Sequence, residues 1–109
     1  MAFKIAQTPK FLAKDITIEI ANERGGWDKN TMSATFFRAD TEEAKELAKL
    51  DPKELIARKL AGWSGVETED KQPVEFNEEN LAAVLMIPAA VVALAQAFWN
   101  HQFKAKTGN

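Results

Sequence analysis

One histidine, no cysteine and no tyrosine leave this 109-residue chain few ways to do chemistry. His101 is the only imidazole available as a general base, but Asn100 and Gln102 flank it and no acidic residue follows Glu79. A histidine base needs a group that fixes its tautomer and orientation. A solvated imidazole near a helix C-terminus, where positive charge is favoured, is the plainer reading. Ser33 and Ser64 sit in no nucleophile motif, and Gly25-Gly26 reads as a turn, not a phosphate-cradling loop. The acidic residues Glu67, Glu69, Asp70, Glu78 and Glu79 raise the question of a divalent cation. A calcium loop needs oxygen ligands at alternating positions, a glycine at its sharp turn and a terminal bidentate glutamate. This stretch lacks that glycine and spacing, so it reads as a solvated, charged loop. The inventory predicts no catalytic residue, no cofactor and no metal.

The elements around these residues carry more information. Asn77 is a favoured helix N-cap, Glu78 and Glu79 lie against the positive end of the helix dipole, and Phe76 and Leu81 can pack across the cap. From Leu81 to Trp99 no residue is charged, a run close to the roughly 20 residues that span a bilayer. Pro88 in its middle argues against a span, because proline removes a helix hydrogen bond and clashes with the preceding turn. The run is read as two helices, about Asn77 to Met86 and Pro88 to Phe103, with Pro88 at the first position of the second. No membrane partner is expected.

Strands come first in the chain. Asp15-Ile16-Thr17-Ile18-Glu19-Ile20 alternates so that Ile16, Ile18 and Ile20 share one face, the period of a half-buried strand. A second strand is read over Thr31 to Arg38, with Met32, Ala34 and Phe36 on one side and Phe37 on the other, across a loop that carries Trp27. A lone hairpin is marginal, so its apolar face must dock on helices. Two helix starts follow. Asp40 with Glu43, and Asp51-Pro52 with Glu54, each place a cap before an acidic third position. The second helix is read to run through Leu55, Ile56 and Leu60 until Gly62 ends it, with Trp63 folding back on it as a core anchor. The expected fold class is α+β: an N-terminal antiparallel β-hairpin or small sheet packed against a C-terminal bundle of about four short helices. One domain is expected, with strands about 14–38, helices about 41–103 and a frayed tail at 104–109.

Charge excludes one class of partner. Residues 1–40 sum to +1, residues 41–80 to −5 and residues 81–109 to +2, with no basic stripe and no aromatic interleaving, so nucleic acid is not an expected partner. Met1 to Lys14 forms no signal-like apolar segment and cysteine is absent, so the cytoplasm is the default compartment.

The last helix is the strongest binding candidate. Val91, Leu94 and Phe98 form one apolar row and Val92, Ala95, Trp99 and Phe103 a second, against a polar stripe of Gln96, Asn100 and Lys104. A helix apolar around most of its circumference either lies centrally or leaves aromatic surface for a partner. Trp99 and Phe103, with Phe37, are the candidate partner-binding residues; Trp63, Phe76, Leu81 and Pro88 are the candidate structural anchors.

The order Gly62-Trp63-Ser64-Gly65-Val66, an acidic turn, Pro73-Val74-Glu75-Phe76, Asn77-Glu78-Glu79-Asn80-Leu81 and Ile87-Pro88 resembles the C-terminal half of the small tail assembly chaperones of long-tailed bacteriophages and prophages. Met1-Ala2-Phe3-Lys4-Ile5-Ala6, with Pro9 and Phe11, is similar to the start of the same proteins. This chain departs from them in the turn, where Thr68 and Lys71 stand in place of the usual acidic residue and glycine. The resemblance implies a non-enzymatic protein of the bacterial host cytoplasm. Its partners would be the tape measure protein and the tail tube protein, and it would be absent from the finished virion. A structural tail component, such as a tail completion or connector protein, shares the size and the α+β pattern. The sequence leaves the oligomeric state open, a homo-oligomer included.

Overall fold

The structure, a computed structural model, describes residues 1–102. Phe103 and the expected frayed tail at 104–109 lie outside the described residues. The elements run β1 (Lys10–Ala21), β2 (Trp27–Phe37), α1 (Thr41–Leu47), α2 (Pro52–Lys59), β3 (Leu60–Ser64), α3 (Glu78–Leu85) and α4 (Pro88–Gln102). The strands form one antiparallel sheet in the order β1-β2-β3. With the helices that follow, this is an α+β fold.

The two outer strands, β1 and β3, each keep their apolar residues on the helix-facing side by means of a bulge. On β1, Ala13 pairs with Ala34 and Ile16 with Met32, so Lys14 and Asp15 together oppose Ser33. The extra residue restores parity after an odd spacing, placing Ala13, Ile16 and Ile18 on the same buried face. Asp15 takes the left-handed backbone conformation, φ 55°, and its N–H donates to Ser33 Oγ at 3.2 Å. On β3, Leu60 pairs with Phe36 and Trp63 with Ala34, and the shift between them leaves Ala61 as the extra residue.

The strand β3 corrects the reading of residues 60–64 as a helix end and turn. The helix α2 stops at Lys59, where Leu60 leaves helical geometry at ψ 123° while its N–H still donates to Ile56 O. Gly62 does not terminate the helix in a left-handed cap; it pairs with Thr35 in mid-strand. Trp63 reaches the core from the sheet, not by folding back on α2. Glycine and tryptophan are weak helix formers and tryptophan suits a strand, and the β2 edge supplies hydrogen bonds that a frayed last turn would not. The strand β1 is also longer than read, and Trp27 opens β2, paired with Ala21, instead of sitting in the loop.

Local capping set the helix starts. Asp40 accepts from Glu43 N at 2.8 Å, Asp51 from Glu54 N at 2.9 Å and Asn77 from Asn80 N at 2.8 Å. Between α3 and α4 the chain bends by 103° just before Pro88, and no helix among the described residues is long and apolar enough to cross a membrane. The core joins both layers: Ala13, Ile16, Ile18, Met32, Ala34 and Phe36 from the hairpin meet Leu47, Leu55, Ile56, Leu94 and Phe98 from the helices. At its centre Phe36 and Phe98 stack edge to face at 5.5 Å, with Phe11 against both rings.

Candidate interaction surface

The helix α4 runs across β1 and alongside α2, and its Val91, Leu94, Ala95 and Phe98 are buried. The row Val91, Leu94 and Phe98 is therefore core. The second row divides: Ala95 is buried, Trp99 half-buried and Val92 exposed. Along that row an apolar groove opens between α4 and the α1–α2 hairpin, lined by Leu47, Leu50, Leu55, Val92, Ala95 and Trp99. Trp99 forms a shared wall, because a second recess on its other side is lined by Ala44, Ala48 and Gln102. Gln96 and Asn100 give the first groove a polar rim.

A hydrogen-bonded junction after β2 joins the elements that wall the groove. Gln102 Nε2 donates to Ala39 O and its Oε1 accepts from Ala39 N, fastening the end of α4 to the chain between β2 and α1. Lys59, 6% exposed, donates to both Glu43 carboxylate oxygens at 3.1 Å and to Arg38 O at 3.3 Å. That single ammonium ties α2 to α1 and to the end of the sheet. Arg38 in turn donates through Nε to Thr8 O and lies over the Phe11 ring. Sequence reasoning missed Lys59, because its partner lies on another helix and no local spacing marks the pair.

Of the candidate partner-binding residues, the two that are described, Trp99 and Phe37, are not brought together. Trp99 stands in the helical layer, whereas Phe37 is on the outer face of the sheet, since its neighbour Phe36 points inward to Phe98. Phe37 is 41% exposed, with Lys10 Nζ 5.3 Å over its ring and Leu12 exposed nearby on the same face. Phe103 lies outside the described residues. The anchor candidates are distributed as follows. Trp63, Phe76 and Leu81 pack, partly buried, against the core, and Pro88 opens α4.

The chemistry-bearing residues are occupied structurally. His101 Nδ1 donates to Ala97 O at 2.9 Å and the ring stacks on Phe11 at 6.5 Å. Ser33 Oγ serves the β1 bulge. Among the described residues no three His, Asp or Glu side chains gather closely enough to hold a metal ion. The acidic loop forms a tight turn closed by Thr68 N to Gln72 O and Lys71 N to Thr68 O, both 2.9 Å, with Lys71 at φ 61°. Lys71 thus adopts a left-handed conformation that suits glycine better than a residue with a Cβ.

A second apolar groove lies at the other end of the molecule, between the far half of the hairpin and the α3–α4 corner. Ile18, Ile20, Met32, Val66, Val84 and Ile87 line it, with Glu67 at its rim. Ile20, read as buried, is exposed because the hairpin extends past the helices that cover Ile16 and Ile18. Compared with protein-family models, curated proteins and solved structures, the chain matches none.

Proposed function

We propose that this protein is a tail assembly chaperone of a long-tailed phage or prophage, a non-catalytic protein that binds the helical tape measure protein and helps recruit tail tube subunits. The observation that carries the reading is the groove along α4, where Val92 and Trp99 present apolar surface between two helices and a polar rim. A groove of this form suits an amphipathic helix laid in by its apolar face. The order of motifs from Gly62 to Pro88, which resembles that of these chaperones, supports the choice of family. Its two halves are also close in space: Trp63 Nε1 donates to Val74 O at 2.8 Å, joining the Gly-Trp block to the Pro-Val-Glu-Phe block.

On this reading the protein works in the bacterial host cytoplasm and leaves before the particle is complete. Mass spectrometry of purified particles tests that half of the proposal. A chaperone is missing from them, and a tail completion or connector protein is present in stoichiometric amount. Co-purification with the tape measure protein tests the other half.

A further inference from the structure

We propose that α1 is a strap over the client surface of α4, and that it lifts to join the two recesses beside Trp99 into one continuous groove. The inference rests on the function proposed above and adds how that site opens. The helix is seven residues long, too short to hold its form without packing. Of its side chains only Leu47 is buried, whereas α2 buries Leu55, Ile56 and Lys59. Among the described residues, the only side-chain hydrogen bonds from α1 to another element are those from Lys59 to Glu43. Glu43 is itself 44% exposed, so water competes for this latch. Both ends of the strap are fastened: Gln102 holds Ala39 before it, and Asp51 caps α2 behind it.

The strap divides the space beneath it. The groove along α4 has a volume of about 290 Å³ and the recess on the other side of Trp99 about 540 Å³, and Ala48 with Trp99 forms their common wall. From Val92 to Gln102 the helix α4 covers about 15 Å, and a second helix, 10–12 Å across, lying along that length fills more than about 1,000 Å³. Neither recess alone takes it. With α1 lifted, Val92, Ala95, Trp99 and Gln102 line a single trough of the required length.

The burial of Leu47 and the Lys59–Glu43 pair keep the closed form dominant in the free chain. A client that binds only the open form shifts the population toward it, and its apolar face covers what the strap has left.

Native-state hydrogen exchange on the free chain tests the strap without any client. The amides of Lys45 to Ala48 exchange through one shared opening, about a hundredfold or more faster than those of Ile56 and Leu94, which open only with the whole molecule. Glu43→Gln and Lys59→Met each speed that opening by about fivefold or more. In a Lys59→Met background Glu43→Gln adds less than about twofold, because both changes release the same latch. Glu42→Gln removes only the exposed Lys45–Glu42 pair within α1 and changes the opening by about twofold or less. Strap amides that exchange as slowly as Leu94, rates that fray from one end, or latch variants that exchange like the parent each overturn the proposal.

A second arm adds the tape measure protein. Bound client holds the strap open, so the α1 amides lose protection in the complex. A client that binds and leaves α1 more protected than in the free chain overturns the strap while the chaperone reading stands. A client that does not bind overturns that reading, and the free-chain rates then decide the strap.

Discussion

The Trp63 indole meets the Phe76 ring edge to face, with centroids 4.8 Å apart and planes at 87°, while its N–H is held by Val74 O. The acidic loop between them is therefore closed at its base by a packed aromatic pair, which ties β3 to the start of α3. Trp63→Ala removes the ring and strands the Val74 carbonyl, and costs about 3 kcal/mol. In a double-mutant cycle with Phe76→Ala, the coupling is about 0.5–1.5 kcal/mol. Urea unfolding reads both, and a Trp63→Ala cost below about 1 kcal/mol contradicts the anchor role.

The two glycines of the Gly-Trp block respond in opposite ways to alanine. Gly65 sits at φ 82°, and a Cβ there comes within 3.4 Å of Met32 Cα. Gly65→Ala accordingly costs about 1–2 kcal/mol. Gly62 lies mid-strand with nothing within 4 Å of the added carbon. Gly62→Ala is neutral or stabilising by up to about 0.5 kcal/mol, since glycine weakens a strand. If Gly62 capped α2 instead, the alanine variant would be the costlier of the two in thermal unfolding.

Lys71 holds the left-handed conformation on an otherwise ordinary residue. Lys71→Gly relieves a strain of about 1–2 kcal/mol but restores unfolded-state freedom of about 0.5–1 kcal/mol, for a net gain near 0.5 kcal/mol. A rise in Tm of a few degrees is expected by calorimetry. A fall in Tm would mean that the lysine side chain contributes something the turn geometry does not show.

The Lys59–Glu43 pair is asymmetric, with side chains 7% and 44% exposed. Removing Glu43 leaves a buried ammonium with only the Arg38 carbonyl, whereas removing Lys59 leaves a carboxylate that water can reach. Glu43→Ala is expected to cost about 3 kcal/mol and Lys59→Met about 1 kcal/mol. Chemical denaturation giving the reverse order would contradict the account of how α1, α2 and the sheet are joined.

What the sequence made legible was whatever depended on near neighbours. Asp40, Asp51 and Asn77 cap helices through bonds spanning three residues, and Pro88 breaks the apolar run through its own ring, so these boundaries could be read directly. Leu60–Ser64 could not, because its conformation is decided by pairing with β2 and its local sequence suits the end of a helix equally well. The alternation of Ile16, Ile18 and Ile20 was plain, yet the exposure of Ile20 depends on where the helical layer stops. The same limit applies to the candidate surface. Periodicity showed α4 to be apolar on most sides, but which row faced the core, and which faced the α1–α2 groove, was set by contacts with β1 and α2. Phe37 and Trp99 were both legible as aromatic residues off the core row. Their separation onto opposite layers follows from the register of β2 against β1.

The central claim is that exposed apolar surface along α4 shields a helical client, and co-expression with the tape measure protein measures it most directly. The parent chain is expected to keep that protein soluble and to co-purify with it. Val92→Glu, a change at a site 51% exposed that leaves the fold intact, is expected to return the client to the pellet. A client that precipitates equally with the parent chain, or that the Val92→Glu chain protects just as well, would contradict the account.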